Sequence, residues 1–125
     1  MKLKLNECLE ICAEGLGWLK YSAGIGWQKA DDEGSTVYNS DLRQEILSPT
    51  GRDLMEQEAE RMGCGIKYCG FQNRTHRYEM LNDWEESKQE YNSHYSGFHK
   101  SKHHAVLIAF CSLVNGEQVE LEDNL

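Results

Sequence analysis

The chain has 125 residues, 39% of them hydrophobic and 27% charged, and its 13 basic and 21 acidic residues give a net charge of −8. This length suits one domain, and the composition excludes a disordered or fibrous protein. The negative charge argues against binding to duplex DNA or to an anionic membrane. It suits docking on a basic, nucleic-acid-binding partner, or simply keeping the protein soluble.

The chain shows no pattern typical of export or of membrane insertion. The longest apolar run, residues 105–111, is far shorter than the roughly 18 residues of a membrane span. The first residues lead into a helical pattern rather than a signal sequence. Five cysteines at irregular spacing are typical of reduced thiols, not of a disulfide framework. We therefore expect a soluble, cytoplasmic protein.

The first half of the chain alternates helices with short strands. Apolar residues at helical spacing predict a first helix over residues 5–16, with Asn6 as its N-cap. Residues 18–30 mix aromatic residues with glycines, which predicts two short strands or a hairpin. A helical turn over residues 41–47 and a second helix over residues 49–62 follow.

The second half predicts a β-hairpin, a long loop and a buried helix. Residues 65–80 alternate between apolar and polar side chains around a polar turn, as in a hairpin. Residues 81–100 show no firm period and are predicted to form a long loop with one strand near residues 92–98. Residues 102–114 are predicted to be helical, because alanines recur at helical spacing and the segment is longer than a usual strand.

These elements predict an α+β fold in which a small antiparallel sheet packs between helices in α/β/α layers. One domain is expected over residues 1–116, followed by an acidic C-terminal tail over residues 117–125. Its charge favours a solvated tail, although Val119 and Leu121 also suit an edge strand. The acidic residues of the tail are Glu117, Glu120, Glu122 and Asp123.

Several of these features lie in an order that resembles the phage ABA sandwich domain, a family of small bacteriophage proteins with stacked helix, sheet and helix layers. The matching features cover most of the chain. They are an N-terminal helix followed by Gly17-Trp18, the segment Tyr38-Asn39-Ser40-Asp41 before a central helix over residues 54–62, and, after a hairpin, the apolar residues 105–109 of a closing helix. The resemblance implies a viral or prophage origin and a place in the bacterial host cell, where proteins of this size often counter host defences. It implies no catalytic residues.

An acidic and aromatic segment is the first candidate site. Tryptophan and tyrosine are common anchors of protein interfaces, and the surrounding carboxylates would steer this segment toward a basic partner. The alternative is that the tryptophan folds back to cover the core. The predicted partner-binding residues are Asp83, Trp84, Glu85, Glu86, Glu90 and Tyr91.

A basic and aromatic set is the second candidate site. Aromatic rings can hold a nucleotide base, while arginines and a helix N-terminus bind its phosphate. The alternative is an ordinary surface on which aromatic and basic residues alternate. The predicted ligand residues are Arg74, Arg77, Tyr95, Phe98, His99, Lys102 and His103.

Metal binding and catalysis are not predicted. The one candidate zinc set combines Cys64 and Cys69 with His94, His99 and His103, but its spacing lacks a CxxC knuckle. We therefore expect neither a metal nor another cofactor. The sequence also contains no glycine-flanked nucleophile and no phosphate-binding glycine loop, so we do not expect an enzyme.

Together these features predict a phage-encoded, non-catalytic inhibitor of a bacterial defence system. It would bind a basic surface of a host protein or ribonucleoprotein, such as a CRISPR effector, in the manner of an anti-CRISPR protein. Two alternatives stay open: a sponge that sequesters a nucleotide immune signal, and a structural or regulatory phage protein without a defence role. Whether the chain forms a homodimer also stays open.

Overall fold

The computed structural model describes residues 1–31 and 33–122, and it confirms the predicted α+β fold. The helices are α1 (Leu5–Gly15), α2 (Leu42–Ile46), α3 (Pro49–Arg61) and α4 (Lys102–Asn115). The strands are β1 (Lys2–Leu3), β2 (Leu19–Lys20), β3 (Gly26–Gln28), β4 (Thr36–Tyr38), β5 (Gly65–Gln72), β6 (Thr75–Glu85), β7 (Glu90–His99) and β8 (Glu120–Leu121).

Helix α4 forms the centre of the core. Every residue from Ala105 to Leu113 is buried, because α4 packs against β6 and β7 and also against α1 and α3. The hydroxyl of Ser101 accepts a hydrogen bond from the N–H of His104 (3.5 Å) at the start of the helix. Gly116 ends the helix in the left-handed conformation, with φ of 74°. The predicted helix over residues 102–114 is confirmed.

The main sheet has the strand order β5-β6-β7, with both neighbouring pairs antiparallel. Asn73 and Arg74 form the turn between β5 and β6 with φ of 52° and 62°, the geometry that joins twisted strands through two residues. Gly97 of β7 pairs with Tyr78 of β6 on the face that contacts α4. The order of layers is therefore main sheet, α4 and α1. The α+β class is confirmed, but the predicted α/β/α stacking, with the sheet between helices, is not the arrangement found, because α1 packs on α4 rather than on the other face of the sheet.

The predicted long loop over residues 81–100 is wrong. Strand β6 continues to Glu85, and β7 runs from Glu90 to His99, so the segment forms the second hairpin of the main sheet. The predicted strand near residues 92–98 is confirmed within β7. The rest of the hairpin was missed because both of its faces are largely exposed to solvent near its end, which removes the alternation of apolar and polar residues.

The N-terminal half contains the predicted helices and strands, adds two short strands that were not predicted, β1 and β4, and differs in one helix cap. Strands β2, β3 and β4 form a second antiparallel sheet, and this confirms the strands predicted over residues 18–30. Helix α1 begins after Lys4, whose N–H donates to the Glu7 carboxylate (3.1 Å). The predicted N-cap, Asn6, is therefore wrong, because it already lies inside the helix. Helix α3 begins after Ser48, whose hydroxyl accepts a hydrogen bond from the N–H of Gly51 (3.0 Å).

Residues 117–122 pack onto the domain. Val119 is fully buried, and its N–H donates a hydrogen bond to the hydroxyl of Ser112 (2.9 Å). Strand β8 then pairs in parallel with β1. The edge-strand alternative therefore describes these residues, and the solvated tail does not. The end of the predicted tail, including Asp123, lies outside the described residues.

Candidate functional site

The predicted partner-binding residues lie together on a two-stranded projection. Strand β5 begins at Gly65, opposite Leu81, so the ends of β6 and β7 continue beyond it as a two-stranded pair. We name residues 83–91, at the end of this pair, the acidic arm. It carries four carboxylates and one lysine, Lys88, for a formal charge of −3. The structure therefore brings all six predicted residues together at one end of the main sheet, with Trp84 and Tyr91 on one face of the strand pair and Glu85 and Glu90 on the other.

Trp84 is in contact with two other side chains of the acidic arm. Its ring packs edge-on against Tyr91, with 4.9 Å between ring centroids, and its Nε1–H donates to a Glu86 oxygen (2.8 Å). The side-chain amide of Gln89 donates to the other Glu86 oxygen (3.0 Å). These two hydrogen bonds lower the pKa of Glu86, so its carboxylate is charged at neutral pH. Trp84 is 43% exposed and does not cover the core.

The other carboxylates of the acidic arm have few partners. The amide of Asn92 donates to Asp83 (3.3 Å), and Lys88 forms an ion pair with Glu85 (3.3 Å). Glu90 is exposed and lies directly opposite Glu85 across the two strands. Within the part of the chain that the structure describes, Lys88 is the only cation paired with an arm carboxylate. Most of the negative charge is therefore available to a partner.

The structure does not bring the seven predicted ligand residues into one pocket. Arg77 and Phe98 are paired across β6 and β7 on the face turned away from α4, with the guanidinium 5.0 Å from the ring centroid. Tyr95 and His99 lie on the opposite face, because Tyr95 pairs with the buried Met80 and His99 stacks on α4. Of the other three, Arg74 is in the β5–β6 turn, and Lys102 and His103 are in the first turn of α4.

An aromatic cluster that the sequence analysis did not identify lies beside the start of α4. Tyr68 and Phe71 of β5 contact His76 of β6, with centroid distances of 5.9 Å and 4.6 Å. The Lys102 ammonium is 4.6 Å from the centre of the Tyr68 ring. A bulge at Cys69 shifts the alternation of β5 by one residue and places these two rings on the same face. Without the bulge, residues three apart in a strand lie on opposite faces, so the sequence carries no sign that Tyr68 and Phe71 lie together.

The histidines near the start of α4 are held in their neutral form. The rings of His99 and His104 stack, with 4.2 Å between their centroids. Burial, with the nearby His99 and Arg43, lowers the pKa of His104 to about 4. Burial also lowers the pKa of His99 and of His103. These side chains are therefore uncharged at neutral pH and add little attraction for a phosphate.

The candidate zinc ligands are not assembled. In the stretches 1–31 and 33–122, no three His, Cys, Asp or Glu side chains lie together as metal ligands. Cys64 contacts Asn82, with its sulfur 3.5 Å from the amide oxygen, whereas Cys69 is exposed at the bulge. The Nε2 of His94 lies 3.2 Å from the carbonyl oxygen of Tyr91. These three side chains thus have different neighbours and do not converge on one position.

Three further cysteines belong to the core. Cys8 and Cys12 of α1 face α4, where the Cys12 thiol lies 3.7 Å from the carbonyl oxygen of Leu107. A hydrogen bond to Cys111, together with burial, raises the pKa of Cys8. A hydrogen bond to Cys12 and burial raise the pKa of Cys111. Cys8 and Cys111 therefore remain protonated thiols, and all three cysteines pack as small apolar side chains.

No protein-family model, curated protein sequence or solved structure matched the chain. The resemblance to the phage ABA sandwich domain therefore stays a prediction. Over the described residues, no helix combines the length and the apolar character needed to cross a membrane.

Proposed function

We propose that this protein is a phage-encoded, non-catalytic inhibitor that docks its acidic arm in a basic groove of a host defence effector. The observation that carries this proposal is the arm itself, a two-stranded projection with a formal charge of −3 and an exposed tryptophan. Complementary charge would speed the encounter with a basic surface and select against acidic ones.

The pairing of charges within the arm supports a binding role. Glu85 and Glu90 lie directly opposite each other across β6 and β7. Like charges at such positions destabilise a hairpin by roughly 0.2–1 kcal/mol, and the nearby Lys88 offsets only part of this repulsion. A basic partner would relieve the rest on binding. The repulsion therefore destabilises the isolated fold, and its relief by a basic partner would favour the complex.

The exposed tryptophan provides the apolar part of the interface. Trp84 is braced by Tyr91 and by its hydrogen bond to Glu86, so its position is set before a partner arrives. Side chains that are ordered in advance lose less conformational entropy on binding. Large aromatic residues at the centre of an interface contribute a large share of its binding energy. The arm thus combines an anchor with a charged rim.

A CRISPR effector is the target that best fits this surface. Such effectors hold a nucleic-acid duplex in a positively charged channel, which an acidic projection can enter and block. The resemblance to a phage family and the net charge of −8 point in the same direction. Blocking the channel needs no catalytic residue.

The test is charge reversal in the full chain, with each of the four arm carboxylates replaced by lysine. With the wild-type protein, we expect phages to plate efficiently on bacteria that carry the sensitive CRISPR effector, and the purified effector to lose DNA cleavage. The variant should lose both effects, while its circular dichroism spectrum stays unchanged. The changes are Asp83→Lys, Glu85→Lys, Glu86→Lys and Glu90→Lys.

A matched variant separates position from net charge. It reverses four exposed carboxylates outside the arm, so both variants have the same formal charge of zero. We expect this control to inhibit as the wild type does, and equal behaviour of the two variants would contradict docking through the arm. The control changes are Glu14→Lys, Glu33→Lys, Asp53→Lys and Glu60→Lys. If the wild type inhibited none of the effectors tested, a structural or regulatory phage role would be favoured.

A further inference from the structure

The charge of this protein is strongly segregated along the chain. Residues 62–82 and 91–116 contain five lysines and arginines, all five histidines and a single carboxylate, Glu79. These two segments carry a formal charge of +4, and the rest of the chain carries −12. They contribute most of the main sheet and all of α4. The end of the sheet opposite the acidic arm is therefore suited to an anion, despite the net charge.

A groove lies at this opposite end, on the face of the sheet turned away from α4. It has a volume of about 520 Å³ and runs between the β5–β6 turn and the end of β7. Pockets of about 300–1,000 Å³ are typical of small-molecule sites. A β-carbon at Gly70 would meet no atom within 4 Å, so the wall of the groove is open there. Its polar side chains include Gln72, Asn73 and Thr75.

An aromatic ring and two cations also line the groove. Phe98 is 46% exposed, and the Arg77 guanidinium lies 5.0 Å from the centre of its ring. Arg77 is ion-paired with Glu79, which fixes its direction but leaves other N–H groups of its fork unused. Lys100 is exposed and has no ion-pair partner among the described residues.

We infer that this groove binds a nucleotide, with the base against Phe98 and the phosphate on Arg77 and Lys100. Every base has a π face that stacks on an aromatic ring, and arginine forms charge-assisted hydrogen bonds with phosphate. The amide and hydroxyl groups of the groove offer donors and acceptors to the sugar and the base edge. The nucleotide is either free or a unit of a single strand, because both present the same base and phosphate.

The inference is tested by titrating the ¹⁵N-labelled wild-type protein with adenosine monophosphate, the oligonucleotide rA6 and inorganic phosphate. Amide shifts should map to the groove, with a Kd for at least one nucleotide ligand below about 1 mM. Saturation by the monophosphate identifies a free nucleotide, and binding of rA6 alone identifies a single strand. The inference would be overturned if neither adenosine monophosphate nor rA6, each at about 5 mM, shifted the amide signals of the groove. Equal affinity for inorganic phosphate would do so too, because the base would then contribute nothing.

Matched variants locate the base and the phosphate. Phe98→Leu should weaken binding about fivefold or more, because the stacking surface is lost. Phe71→Leu removes an exposed ring from the opposite face of the same sheet and should leave binding unchanged. Equal losses in the two variants would refute the assignment to this groove. Lys100→Gln should weaken binding and lower its salt dependence, whereas Arg61→Gln, an exposed cation on α3, should change neither.

This experiment is independent of the proposed function. It requires only the purified chain, and the acidic arm is left intact in every variant. A failure of nucleotide binding therefore leaves docking through the arm untouched. Conversely, an arm reversal that abolished inhibition would not predict whether the groove binds a nucleotide.

Discussion

Replacing Gly97 by alanine tests how closely α4 packs on the main sheet. An added β-carbon would lie 1.8 Å from the carbonyl oxygen of Ala105 and 2.9 Å from the amide nitrogen of Ala109. Carbon and oxygen atoms rarely approach closer than about 3.3 Å, so α4 must withdraw by about 1.5 Å. Both contacts are with backbone atoms, and no change of rotamer can relieve them. Because α4 is the centre of the core, the withdrawal would open voids along its whole buried face.

We therefore expect Gly97→Ala to lower the free energy of unfolding by about 3 kcal/mol or more, at the upper end of the cost of overpacking. In urea this shifts the midpoint of unfolding down by about 1–3 M, given the usual denaturant dependence of a small domain. The control is Gly65→Ala in the same sheet, where the new β-carbon meets only the flexible end of Tyr91, at 2.9 Å. It should cost less than about 1 kcal/mol. Equal midpoints for the two variants would refute the close seating of α4 on Gly97.

Two further predictions concern buried polar groups. The pKa of His104 is lowered from 6.5 to about 4 in the folded state, so the unfolded chain binds more protons between these values, and stability should fall as the pH drops from about 6.5 to 4. After allowance for solvent screening, the loss is on the order of 1 kcal/mol, and His104→Gln should flatten this part of the profile of urea midpoint against pH. Ser112→Ala leaves the buried N–H of Val119 without its acceptor and should cost about 1–3 kcal/mol, with faster hydrogen exchange at that amide, while the exposed Ser87→Ala should change neither quantity.

The sequence predicted the elements whose signals are local. Alanines at helical spacing identified α4, and a polar turn between two alternating segments identified the first hairpin of the main sheet, which two residues with positive φ close. The second hairpin was missed because its end is exposed to solvent on both faces, so that apolar and polar residues do not alternate there. The acidic arm was nonetheless identified, because its residues are contiguous in the chain and need no tertiary information to be grouped.

The groove was only half identified, for a reason that lies in strand geometry. Tyr95 and Phe98 are three residues apart on β7, and an odd separation places side chains on opposite faces of a strand. Treating residues 81–100 as a loop hid this relation and grouped the two rings in one pocket. The residues that complete the groove, such as Gln72 and Asn73, come from the end of β5 and its turn. Only the pairing of β5, β6 and β7 brings them beside Phe98.

The two proposed surfaces lie at opposite ends of one strand. Arg77 stands near the start of β6 and Glu85 at its end, and a strand advances about 3.3 Å per residue, so roughly 26 Å separates groove from arm. An effector that offers a basic protein surface and a single-stranded nucleic acid at this spacing would engage both ends at once. The second contact would then be intramolecular and would raise the overall affinity well above that of either end. For such a partner, the distribution of charge along β6 would matter more than the net charge of −8, because the acidic end would meet protein and the basic end nucleic acid.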